Sequence, residues 1–113
     1  MSITNQQVAG REFLRALYPS DYFPDHLLDK GRDILLRLCA RIEAERPADL
    51  AGLYALTVGA TLEFNTLQDE FWAAGSEIET MARDVIAGDF AFVVSAYGFA
   101  EADLEEVVAE RDW

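Results

Sequence analysis

Apolar residues recur every three or four positions along almost the whole chain, a period that a helix satisfies and a strand does not. Leu27, Leu28, Ile34, Leu35, Leu38 and Ile42 mark one such face, and Leu50, Leu53, Ala60, Phe64, Leu67 and Phe71 mark another. No stretch alternates apolar and polar residues long enough to predict a strand. The expected fold is all-α: a compact bundle of four main antiparallel helices plus a short C-terminal helix, in a single domain over residues 1–113.

Prolines and glycines punctuate this pattern. A first helix is expected from about Asn5 to Tyr18, opened by Thr4 with Gln7 and stopped by Pro19. A second spans about Pro24 to Arg46, with Asp29, Lys30, Asp33, Arg37 and Arg41 pairing along its polar side. Gly31 in this helix marks either a close helix approach or a bend. A third follows Pro47, about Ala48 to Ala74, and Gly75 is placed to end it. "SEIE" (Ser76 to Glu79) reads as a capping box for a fourth helix reaching Tyr97, with Met81 among its inward residues, and Gly98 closes it. The fifth covers about Ala102 to Arg111.

"YPSDYFPDHLLDKG" (Tyr18 to Gly31) concentrates prolines, aromatics, acids and the sole histidine. A rigid turn accounts for most of it. Asp21 is expected to cap the second helix, Pro24 to sit in its first turn, and Tyr22 and Phe23 to plug the end of the bundle. His26 is left over, and the simplest reading bonds it to Asp25 or Asp29.

Charge is unevenly placed. Residues 1–46 carry seven Lys/Arg and seven Asp/Glu, whereas residues 47–113 carry two Arg and fourteen Asp/Glu, so the net −12 belongs to the second part. Such a chain is expected to bind neither nucleic acid nor anionic membrane, and to attract a basic protein surface if it attracts anything. The chain begins without a basic and apolar leader, and its single cysteine, Cys39, fits a reducing compartment. A cytoplasmic location is the expectation, with Cys39 buried and inert beside the second helix's core stripe.

Catalytic and metal patterns find little support. One histidine cannot furnish the paired Glu-x-x-His motifs of a di-iron bundle, and Cys39 with His26 cannot make a zinc site. "DEFWAAGSEIE" has the acids and glycine of a calcium loop at the wrong spacing, and no phosphate loop or serine-hydrolase elbow is present. No metal or other cofactor is expected. The best polar constellation is Thr57, Thr61 and Asn65, four apart on the third helix, facing Glu79 and Arg83 on the fourth, where Asp89 is an unusual acid on the inward side. Thr61, Asn65, Glu79, Arg83 and Tyr97 would line a pocket for a small polar molecule. The structural alternative is threonines bonded to their own helix, a capping glutamate and a fold-specifying ion pair.

The blocks "DYFPDHLLDKG", "RLCARIEAE", "LYALTVGATLEFNTLQDEF", "GSEIETMARDVIAGDF" and "AYGF…RDW" resemble a family of small acidic bacterial proteins known only as a domain of unknown function. The likeness spans nearly the whole chain, and "YFP" and "GSEIET-AR" are its most specific parts. The resemblance implies an all-helical domain and no particular activity. It also implies a histidine after the Leu-Thr of "LTVGAT", where this chain has Val58, so a site using that imidazole would not operate here. The closing Arg111 and Trp113 are implied to dock on the bundle.

Three functions follow in order. The first is a non-catalytic interaction module, similar in kind to an inhibitor or immunity protein, whose Glu101, Asp103, Glu105, Glu106, Glu110 and Asp112 face a basic partner. The second is a small-molecule binder or enzyme in which Arg83 fixes an anion and Glu79 acts as base or orienter. The third is a homodimer, rather than a monomer, that hides aromatic surface such as Trp72.

Overall fold

The computed structural model describes residues 3–113 and is helical throughout its regular parts, with no strand among the described residues. Five α-helices follow in order: α1 (Gln6–Ala9), α2 (Asp25–Glu45), α3 (Leu50–Ala73), α4 (Thr80–Ala96) and α5 (Leu104–Val107). A 3-10 turn, Arg15–Leu17, lies between α1 and α2. The all-α expectation holds, with three of the helices long.

The first expected helix breaks. Asn5, not Thr4, caps α1 by accepting from the amides of Gln7 and Val8, and the helix stops at Gly10 after one turn. A fourteen-residue helix is marginal alone, and Gly10 weakens it further. The chain instead turns Arg11 and Leu14 toward Asp89 of α4, with Leu14 in the left-handed conformation at φ 60°. Phe13, Leu14 and Leu17 remain buried, so the apolar pattern is kept while the helix is lost.

α2 and α3 form an antiparallel pair and the main packing unit. Their polar residues bridge the two helices rather than pairing along α2: Lys30 meets Glu70, and Arg37 Nη2 lies 2.9 Å from Glu63 Oε1. Gly31 resolves as a close approach, since a Cβ there would stand 2.7 Å from Leu14 Cδ1 and 3.3 Å from Phe64 Cε1. Asp21 does not cap α2. The carbonyl of Pro24 takes the amides of Leu27 and Leu28, so the helix opens at Pro24 without a side-chain cap. Phe23 is buried edge-on to Phe71 at 6.3 Å, whereas Tyr22 stays exposed.

The "SEIE" box does not form either. Ser76 donates its amide to Phe71 O and Gly75 donates to Trp72 O, with Gly75 at φ +80°, which is a Schellman ending of α3. Ser76 is thereby used by the preceding helix, and α4 begins three residues later than a cap at Ser76 requires, with Glu79 as an N-cap that makes no side-chain bond. Met81, expected inward, is exposed, because it lies about 100° or more around the helix from the buried Ala82, Ile86, Phe90 and Val93. Gly98, at φ +91°, ends α4 in the same way, with Phe99 N donating to Val94 O.

The core joins Leu28, Leu35 and Leu38 of α2, Leu53 and Phe64 of α3, and Phe90 and Val93 of α4, all essentially inaccessible. Each such side chain contributes about 1.5–3 kcal/mol relative to exposure. Phe64 and Phe90 meet edge-on at 5.7 Å, and α5 packs against both α3 and α4. No described helix is long and apolar enough to cross a membrane.

Candidate functional site

The polar stripe of α3 faces the C-terminal segment. Tyr54 Oη accepts the Asp103 amide at 3.0 Å, and Thr61 Oγ1 lies 3.4 Å from Val107 O. Asn65 works twice: Nδ2 donates to Glu110 O at 2.8 Å and Oδ1 accepts the Asp112 amide at 3.0 Å. Gln68 Nε2 donates to both Asp112 O and Asp112 Oδ1. Helical spacing explains the alignment, because Tyr54, Thr61, Asn65 and Gln68 fall on one side of α3. The segment is closed by Trp113, which is buried edge-on to Phe64 at 6.1 Å and covered by the Arg111 guanidinium at 5.4 Å.

This arrangement presents the acids of the C-terminal segment. Glu101, Asp103, Glu105, Glu106, Glu110 and Asp112 are all exposed, and none forms an ion pair among the described residues. Asp103 caps α5 by accepting the Glu105 amide, so even this short helix is anchored at its start. Fixed backbone beneath unpaired carboxylates gives a concentrated negative surface of defined shape.

The five residues expected to line a pocket do not share one. Thr61 and Asn65 are spent on α5 and the residues after it, so peptide backbone fills the space a ligand would need beside them. Thr57 and Thr61 are fully buried, and both also bond back to their own helix. Glu79 is exposed at the start of α4, and Arg83 is half-buried with its Nε unbonded. Tyr97 lies elsewhere, donating its hydroxyl to Glu43 of α2 at 2.5 Å.

A second polar centre holds the N-terminal segment. Asp89 is 3 % exposed, and its Oδ1 accepts from Arg11 Nη2 at 2.8 Å while its Oδ2 accepts the Leu14 amide at 2.8 Å. The Arg11 guanidinium also lies over the Phe92 ring at 4.4 Å. Glu43 accepts from the Thr4 amide and hydroxyl, the Asn5 amide and Tyr97, and these donors, Tyr97 first, hold its carboxyl down to about 2. Burial, then the bond to Glu43, raises the Tyr97 phenol. Burial pushes the Cys39 thiol up to about 12, so it is protonated and unreactive at neutral pH.

A cleft of about 740 Å³ opens beside Arg11, Arg15, Asp84, Gly88 and Asp89. Both of its cations are paired, Arg11 with Asp89 and Arg15 with Glu12, and Asp84 is left over, so among the described residues the cleft has no free cation to select an anion. His26 is exposed and, among the described residues, bonds to neither expected partner: Asp29 accepts the Tyr18 hydroxyl instead, and Asp25 makes no bond to it. No group of three His, Cys, Asp or Glu side chains that could hold a metal ion occurs among the described residues.

Position alone marks Asp89 in the sequence, while Tyr54, Gln68, Arg11 and Glu43 carry no such mark. Extending the Thr61–Asn65 stripe by seven residues back and by three forward reaches Tyr54 and Gln68, so that part was readable. Nothing in the local sequence points Glu43 at residues 4 and 5 or Arg11 at Asp89.

No curated protein and no solved structure matches the chain. A family model does match it over residues 7–113, and the chain therefore belongs to that family of unknown function, DUF5713.

Proposed function

We propose that this protein is a non-catalytic interaction module of the inhibitor or immunity kind, which binds a basic protein through its acidic C-terminal surface. The observation that carries this reading is the set of exposed, unpaired carboxylates at Glu101, Asp103, Glu105, Glu106 and Glu110, on a segment pinned to α3. A surface already fixed in shape loses little conformational freedom on binding, and its field raises the rate of encounter with a cationic partner. The net −12 of residues 47–113 adds to that field. The polar side chains beneath it, Thr61 and Asn65, are already bonded to its backbone.

The test is capture from host lysate with the wild type and with a Glu101→Lys, Glu105→Lys, Glu106→Lys variant, at low and high salt. A basic protein held by the wild type at low salt, and released by salt and by charge reversal, is the expected result. Equal recovery of every bound protein by both forms would remove the electrostatic reading.

A further inference from the structure

Trp72 is 54 % exposed, while the chain's other tryptophan, Trp113, is 7 % exposed. An indole left in water forfeits a large apolar burial, and nothing in the core needs it there. Its place on α3 is informative. With 3.6 residues per turn, Thr61, Asn65, Gln68 and Trp72 fall within roughly 60° of one another around the helix. The C-terminal segment covers the first three through their bonds to Val107, Glu110 and Asp112. Trp72 lies on the next turn, about 6 Å further along the axis, beyond the last of those bonds. The docked segment and Trp72 therefore form one continuous strip.

The surroundings of Trp72 are acidic. Asp69 precedes it by three residues and is exposed on the neighbouring helix position, and Asp112 is held against Gln68 one turn away. An aromatic face rimmed by carboxylates attracts a planar cation, since the ring quadrupole and the acids act in the same sense. The molecule already makes this contact three times among the described residues, with Arg11 over Phe92 at 4.4 Å, Arg32 over Tyr18 at 6.0 Å and Arg111 over Trp113 at 5.4 Å.

We propose that Trp72, flanked by Asp69 and Asp112, is the anchor of the acidic surface and receives an arginine side chain from a basic segment of the partner protein. This rests on the interaction reading above and names where its specificity lies. A second copy of the chain is the wrong occupant, because it would bring another net −12 against the same acids. Arginine is favoured over lysine because its flat, weakly hydrated guanidinium stacks on indole while donating to carboxylates at its edge.

The test uses an oligo-arginine peptide and an oligo-lysine peptide of equal length as probes. Affinity is measured by calorimetry and the site is read by tryptophan fluorescence, at low and high salt. The wild type is expected to bind oligo-arginine more tightly than oligo-lysine, with a change in the emission of the exposed indole. Trp72→Ala should weaken oligo-arginine about fivefold and Trp72→Phe less, since a phenyl ring retains part of the cation attraction. If Trp72→Ala binds as the wild type does while reversal of Glu101, Glu105 and Glu106 weakens binding, the acidic surface stands and the anchor falls. If the wild type binds neither peptide, both readings fall. A Trp72-dependent dimer in light scattering would overturn the proposal in favour of self-association.

Discussion

Asp89 and Glu43 hold residues 4–14 with carboxylates, whereas Tyr54, Thr61, Asn65 and Gln68 hold residues 103–112 with hydroxyls and amides. The segments held explain the difference. The N-terminal one offers Arg11 and free amide donors, so a carboxylate gains both charge attraction and hydrogen bonds there. The C-terminal one brings Glu101 through Asp112, and carboxylates beneath it would add like-charge repulsion to an acidic crowd. Neutral groups grip its backbone without deepening that field. They also leave its glutamates facing outward, while the Asp112 carboxylate accepts from Gln68 and that of Asp103 caps α5. One clasp is thus a charged centre of the fold, and the other is a neutral cradle for a charged surface.

Removing the charged centre is expected to have the largest effect. Asp89→Ala leaves the buried Leu14 amide without an acceptor and Arg11 without its counter-ion, and the left-handed turn at Leu14 loses its restraint. Breaking a buried pair from one side typically costs about 3–5 kcal/mol. Arg11 is partly exposed and can rehydrate, so the low end, about 3 kcal/mol, is expected. Urea unfolding should report it as a lower midpoint at unchanged slope. A loss below about 1 kcal/mol would mean that hydrophobic burial of Phe13, Leu14 and Leu17 holds this segment by itself.

Gly31→Ala attacks the same region from the packing side. The new methyl would stand 2.7 Å from Leu14 Cδ1 and 3.3 Å from the Phe64 ring. Leu14 is fixed at its backbone by Asp89, so it has little room to retreat, and a cost of about 1–3 kcal/mol is expected from overpacking. The double variant with Asp89→Ala sharpens the comparison. Freed from Asp89, Leu14 should yield, and the two costs should sum to less than their separate values.

How far the fold was legible follows from which forces act locally. The bounds of α2, α3 and α4 came within a few residues, because apolar period, Pro47, Gly75 and Gly98 act over a few neighbouring positions. The first helix did not, because a contact from Arg11 and Leu14 to Asp89, more than seventy residues away, outcompeted a marginal local preference. The "SEIE" box failed through a conflict between two local signals, in which the Schellman ending of α3 used Ser76 first. The α3 stripe was visible as polar residues four apart, but its partner was not. Residue spacing places Thr61 and Asn65 on one face and cannot say whether a ligand or the chain's own C-terminal segment lies against it.

Cutting the neutral clasp should cost less. Asn65→Ala removes two hydrogen bonds to backbone at Glu110 and Asp112, worth about 1–2 kcal/mol together. The loss should be independent of salt, since no ion is involved. Amide exchange should rise in residues 108–113 and leave 4–14 protected. Exchange rising equally at both ends would mean that the two clasps open as one unit and that the contrast drawn between them is false.

The smallest effect separates the clasps by pH. Glu43 is held down to about 2 by Tyr97 and the amides of Thr4 and Asn5, from an ordinary value of 4.5. A carboxyl lowered on folding contributes stability that is fully present above its unfolded value and is lost as pH falls through the folded one. The Glu43 contribution should therefore be intact at pH 5 and above, and decline between about 4.5 and about 2. Glu43→Gln should lower stability modestly at neutral pH, about 1 kcal/mol for a half-buried hydrogen-bonded site, and flatten the acid limb across that window. Asn65→Ala has no titrating group to lose, so its deficit should stay constant through the same range. Parallel acid limbs for wild type and Glu43→Gln would show that the carboxylate does not hold residues 4 and 5 in solution, and the N-terminal clasp would then rest on Asp89 and on the bond from Asn5 Nδ2 to Ala96 O.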